Sequence, residues 1–187
     1  MKDRHTLGKT GGLHVTAEPS ALGGFLLLWT VFSLLGRGLY RLRPRAAITG
    51  GLLAAGLHFL SEMWHQMGHP RAAERTGFPM TGIHLWGVLG TSIYPPDEPE
   101  LPDEVHIERA LGGPRASLGL TLAALLVALI VRPAGRMALM VASLFALDNL
   151  LVFTVGAFLP IPVLETDGIV IRRYRQAYRK RMVVIQE

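Results

Sequence analysis

Four runs of apolar residues constrain what this 187-residue chain can fold into. They lie near 21–36, 46–69, 114–131 and 137–159. A helix needs roughly 20 apolar residues to cross a hydrocarbon core of about 30 Å, so each run is near spanning length, the first being the shortest. Half of the residues are apolar, and their gathering into runs rather than an even spread points to a polytopic membrane protein. The expected fold is mainly α, with about four transmembrane helices and a small membrane-associated β element between the second and third.

The N-terminus is polar and lacks a charged-then-apolar leader with a small-residue cleavage site, so the first span is expected to stay as an anchor. Cysteine is absent, which leaves any metal to imidazole and carboxylate. Residues 78–94 carry strand-forming residues broken by glycine and proline, and predict a short sheet or hairpin at the membrane surface. A second, weaker hairpin signal lies at 6–16, with Gly8, Gly11 and Gly12. Residues 94–108 read as an acidic, proline-rich loop, extended and solvated. No internal repeat is present, and one membrane-embedded domain is expected over 1–187. It comprises a helix pair (20–69), strands and acidic loop (78–108), a second helix pair (109–171) and a basic tail (172–187).

Orientation follows from Lys and Arg placement. The densest cluster, Arg172, Arg173, Arg175, Arg179, Lys180 and Arg181, places the tail in the cytoplasm, and four spans then bring the N-terminus there too. Lys2, Arg4, Lys9, Arg71, Arg75, Arg109 and Arg115 fall on the same side, while Arg37, Arg41, Arg43 and Arg45 are stranded in a short outer loop. A prokaryotic cytoplasmic membrane is the expected location. The net charge of +5 fits this bias and contact with anionic lipid through the tail. No nucleic-acid recognition motif is present.

The chemistry concentrates in His65-Gln66-Met67-Gly68-His69, at the end of the second run. Residues four apart on a helix lie on one face about 6 Å apart, so both imidazoles can reach one ion. Taking 100° per residue, His58, Glu62, His65 and His69 fall at about 0, 40, 340 and 20°, a narrow stripe of four potential ligands. The plain alternative is the wet face of a helix leaving lipid. In the related H-E-x-x-H pattern the glutamate binds no metal; it takes a proton from the attacking water. Gln66 has no ionisable group and cannot be that base.

Two histidines need a further protein ligand, for which Asp148, Glu165 and Asp167 are candidates. Asp167 is favoured because it precedes Gly168 at the end of the fourth run, on the side to which the second run brings His69. His58 lies nearly three turns from His69, too far to share its ion. Asp148 and Asn149 fall near the middle of a span, where polar groups face the bundle interior. They are expected to line a polar path or to orient a ligand imidazole from behind, with helix-to-helix hydrogen bonding the alternative. Pro70 forgoes a hydrogen bond to the Gln66 carbonyl and should kink or end the helix.

Several blocks resemble the site-2 protease family of intramembrane zinc metallopeptidases, in that family's order. Trp64 and the following HQMGHPRAAERTG look like its H-E-x-G-H block, and 78–90 resembles the strands after it. Ala110-Leu111-Gly112-Gly113-Pro114 is similar to the A-G-P element opening the next core helix. Leu159-Pro160-Ile161-Pro162-Val163-Leu164-Glu165-Thr166-Asp167-Gly168 resembles the L-P-x-x-x-L-D-G element. Gly12-Leu13-His14-Val15 looks like a short strand that some prokaryotic members place before the first span.

The resemblance implies zinc held by His65, His69 and Asp167, and hydrolysis of a peptide bond in a transmembrane protein or peptide. A substrate helix must unwind to expose its carbonyls, and pairing with the 78–94 strands would hold it extended. The departures are Gln66 at the general-base position, Ala157 where the family often has asparagine, and Glu165-Thr166 before Asp167. Glu62, one turn before His65, is the candidate substitute base. The alternatives are a catalytically impaired pseudoprotease that binds membrane proteins, and a metal-handling membrane protein using the His58, Glu62, His65, His69 stripe with Asp167.

Overall fold

The computed structural model describes residues 5–161 and 164–186, with side chains to Arg179. Lys2, Arg4, Pro162 and Val163, and the side chains of Lys180 and Arg181, lie outside the described residues. The order is β1 (His5–Thr10), β2 (Leu13–Ala17), α1 (Pro19–Gly38), α2 (Pro44–Gln66), α3 (Gly68–Arg75), β3 (Gly82–Trp86), β4 (Leu89–Ile93), α4 (Asp103–Ile130), α5 (Arg136–Asp148) and α6 (Asp167–Gln186). α5 continues through a π-helical stretch, Asn149–Val155, and a last 3-10 turn, Gly156–Phe158.

Four helical stretches are long and apolar enough to cross a membrane: Pro19–Gly38, Pro44–Arg75, Asp103–Ile130 and Arg136–Phe158. Their outer faces are apolar, with Leu22, Leu34, Leu129 and Ile130 each 65% exposed, which suits lipid and not water. The chain is an integral membrane protein. Prolines open α1 and α2, where the missing N–H costs nothing. Pro70 has the expected effect: α2 ends at Gln66, and α3 restarts after Met67.

Both hairpin signals form strands, and they join in one four-stranded sheet of order β1-β2-β3-β4. β2 pairs with β3 in parallel, Val15 opposite Ile83, whereas β1–β2 and β3–β4 are antiparallel. Gly87, at φ +53°, makes the two-residue turn between β3 and β4. Leu13, Ile83, Leu85 and Met80 pack on Ala21 and Ala73, so the sheet rests on the helices.

Two expectations need correction. α4 starts at Asp103, so Gly112-Gly113-Pro114 lies inside that helix and does not open it. The acidic stretch is not wholly solvated: Asp103 is buried, and Glu98 makes a two-pronged ion pair with buried Arg109. A guanidinium cannot enter a membrane protein interior without an acceptor, and Arg109 finds Glu98, the Phe78 carbonyl and the Tyr94 ring, 4.2 Å from its centre. The described part of the basic stretch is helical and belongs to α6, whose first residue is Asp167.

Candidate metal centre

α2 and α3 present His65 and His69 on either side of the break at Met67, and α6 brings Asp167 between them from the far end of the chain. Among the described residues these three offer ligand atoms within 4.8 Å of one another. The two Nε2 atoms are 3.4 Å apart, His65 Nε2 is 3.2 Å from Asp167 Oδ2, and His69 Nε2 is 3.7 Å from Asp167 Oδ1. A tetrahedron with bonds of about 2.05 Å has edges of about 3.3 Å, so the separations are those of three donors around one small ion.

Each imidazole is oriented from behind. His69 Nδ1 lies 2.9 Å from the Arg109 carbonyl, which can only accept, so Nδ1 carries the proton and the neutral ring turns a bare Nε2 toward the cluster. His65 Nδ1 is 2.9 Å from Ser117 Oγ. α4 supplies both partners and can approach because Gly68 and Gly112 face each other. A Cβ on Gly68 would meet the Gly112 carbonyl oxygen at 2.2 Å. Gly113 completes the cradle: a Cβ there would lie 2.4 Å from Nε2 of both histidines.

The other residues singled out take different places. Gln66 Nε2 donates to Glu62 Oε1 at 2.9 Å, and Gln66 Oε1 accepts the Ser92 hydroxyl at 3.2 Å. Both ends of the amide are therefore engaged, which a carboxylate at 66 beside Glu62 could not reproduce. Glu62, 2% exposed, also accepts the Gly90 N–H at 2.7 Å. His58 lies outside the cluster; its Nδ1 is 3.0 Å from Asp148 Oδ2 and its Nε2 2.7 Å from the Val88 carbonyl. Asp148 thus orients His58 and neither ligand imidazole. Asn149 donates to Ser61 Oγ and the Phe145 carbonyl, a helix-to-helix tie. Glu165 pairs with Arg173 at 2.7 Å.

The cluster opens into a cavity of about 560 Å³ walled by Glu62, Gln66, strand β4 and the π-helical stretch. Burial pushes the Tyr94 phenol, on the same wall, up to about 12, so it is neutral in the working pH range. Hydrogen bonding to Arg109 holds the Glu98 carboxyl below its ordinary range, which keeps the loop clamp ionised. Sequence reasoning missed Ser117, the Arg109 carbonyl and Gly113. The one available signal was that Gly113 and Ser117 are four apart, on one face of α4.

No protein-family model matches the chain, and no curated protein matches it significantly. Among solved structures it is similar to the site-2 protease from Methanocaldococcus jannaschii, with a TM-score of 0.63 at 19% identity, over 94% of this chain and 73% of that one. At that identity the likeness establishes the fold, a membrane metallopeptidase-like one.

Proposed function

We propose that the chain is a membrane-embedded zinc metallopeptidase of the site-2 protease type, acting on an extended segment of a membrane protein. The observation that carries this reading is the convergence of His65, His69 and Asp167 from three helices at tetrahedral spacing. Two imidazoles and one carboxylate, with no thiolate available, suit zinc in an open, catalytic site. When bound, zinc would polarise a peptide carbonyl and lower the pKa of a water.

The chain's own residues do the rest. Ser117 and the Arg109 carbonyl fix the imidazoles. A helical substrate hides its carbonyls in its own hydrogen bonds, so it must enter extended. β4 is an edge strand beside the cavity, paired with β3 on one side and bonded by α2 side chains on the other, and it is the strand to which such a segment can add. Gln66 cannot take the proton from the attacking water; Glu62, one turn away in the same cavity wall, is the carboxylate placed to do so. α6, with Arg172, Arg173, Arg175 and Arg179 exposed, lies against anionic headgroups on the cytoplasmic side.

A second reading, capture of a membrane-protein segment without cleavage, is favoured by the double engagement of the Gln66 amide. Incubating purified protein with an unstructured transmembrane peptide separates the two. The peptidase reading expects slow, chelator-sensitive cleavage that drops by about 10²-fold in Glu62→Ala, the size of lost general-base help. Binding with no cleavage above a His65→Ala control would leave the second reading.

A further inference from the structure

The polar stripe of α2 is hydrogen-bonded along one edge of the β3–β4 hairpin. His58 donates to the Val88 carbonyl, Glu62 accepts the Gly90 N–H, and Gln66 accepts the Ser92 hydroxyl. Steps of four on a helix advance about 6 Å, and steps of two on a strand advance about 6.6 Å. That near match lets one helix face follow one strand edge for three rungs. The stripe is therefore not only a ligand face; two of its four members close a sheet edge.

The edge in question is the one that an incoming strand would use. Among the described residues β4 pairs with β3 alone, and Gly90 turns its N–H away from β3. A docked peptide would place a carbonyl oxygen on such an outward N–H. Glu62 Oε1 stands in that place at 2.7 Å. Gly90 permits the close approach, since a Cβ there would lie 2.7 Å from Glu62 Oε1. Glu62 is buried, and its hydrogen-bond partners, the Gly90 N–H and the Gln66 amide, are both neutral. The Gly90 N–H is one neutral donor, so an incoming carbonyl has a single hydrogen bond to replace there. His58, braced by Asp148, keeps the turn fixed while the middle rung opens.

We infer that Glu62 is an intramolecular stand-in for a substrate carbonyl, and that an extended peptide docks on β4 by displacing the Glu62 carboxylate from the Gly90 N–H. The inference rests on the reading of β4 as the docking edge. It makes the carboxylate free in the cavity only when a strand is present, which ties proton acceptance to occupancy and protects the site from idle turnover.

The test uses the full chain in detergent and a fluorescent peptide of about ten residues rich in Val and Thr, extended by propensity. Removing a competitor should tighten binding, so Glu62→Ala is expected to bind the peptide about tenfold more tightly than the unaltered chain, with Glu62→Gln between them. In the free protein the Gly90 amide should exchange faster in Glu62→Ala and become protected when peptide is added. A second measurement needs no variant: the Glu62 side-chain carboxyl resonance of the labelled protein should shift on peptide addition. Equal or weaker binding by Glu62→Ala and Glu62→Gln, or a carboxyl resonance that ignores bound peptide, would overturn the latch while leaving the docking edge intact. Peptide binding to none of the three proteins would overturn the docking edge, and the latch with it.

Discussion

Gly113→Ala is expected to empty the metal centre. The added Cβ would sit 2.4 Å from Nε2 of His65 and of His69, inside contact distance of both donor atoms and beside the space that they enclose. Neither ring can retreat, because His69 is held by the Arg109 carbonyl and His65 by Ser117. Bound zinc should fall about tenfold or more, the scale of losing a metal's support. Gly119→Ala on the same helix is the control, since its Cβ would meet nothing within 4 Å and alanine is the better helix former. Elemental analysis of the two purified variants reads the difference.

Exchanging the α2 pair, Glu62→Gln together with Gln66→Glu, should raise cleavage of an extended membrane peptide by about 10²-fold, the gap between the lower and upper ends of general-base help. The exchange keeps the hydrogen bond between the two side chains with its direction reversed. An amide oxygen still meets the Gly90 N–H, and the Ser92 hydroxyl can still donate to position 66. The carboxylate moves to the position next to His65, where the H-E-x-x-H pattern has it. Gln66→Glu alone should gain less, because it sets two carboxylates within the 2.9 Å of the present hydrogen bond and they must share a proton. Single-turnover cleavage by the three proteins measures this. An exchanged pair no faster than the unaltered chain would mean that something other than the base's place limits turnover.

The features legible in the sequence are those written in local periodicity. The apolar runs give the four spanning stretches, the i, i+4 spacing gives one face to the two histidines, and Pro70 gives the break after Gln66. Asp167 could be favoured because an aspartate before a glycine ends an apolar run. Its place at the head of a helix could not, and Gly168 explains the fit: a Cβ there would meet the Phe158 backbone at 2.5 Å.

What escaped the sequence is long-range. The parallel pairing of β2 with β3 joins residues on either side of α1 and α2, and parallel partners leave no local signature. A backbone carbonyl such as that of Arg109, behind His69, has no sequence mark at all. The run of acids at 97–104 reads as solvated by composition, because nothing local shows that Arg109 will be buried beside Glu98. Asp148 sits at a depth that demands a polar partner, but that the partner is His58 follows only from how α2 and α5 pack.

The measurement that tests the central claim most directly is zinc per chain in the detergent-purified protein, beside His65→Ala, Asp167→Ala and His58→Ala. About one zinc is expected in the unaltered chain and in His58→Ala, since the His58 ring bonds Asp148 and Val88 and not the cluster, and nearly none in the other two. No zinc in the unaltered chain, or zinc kept when His65 or Asp167 is removed, would contradict it.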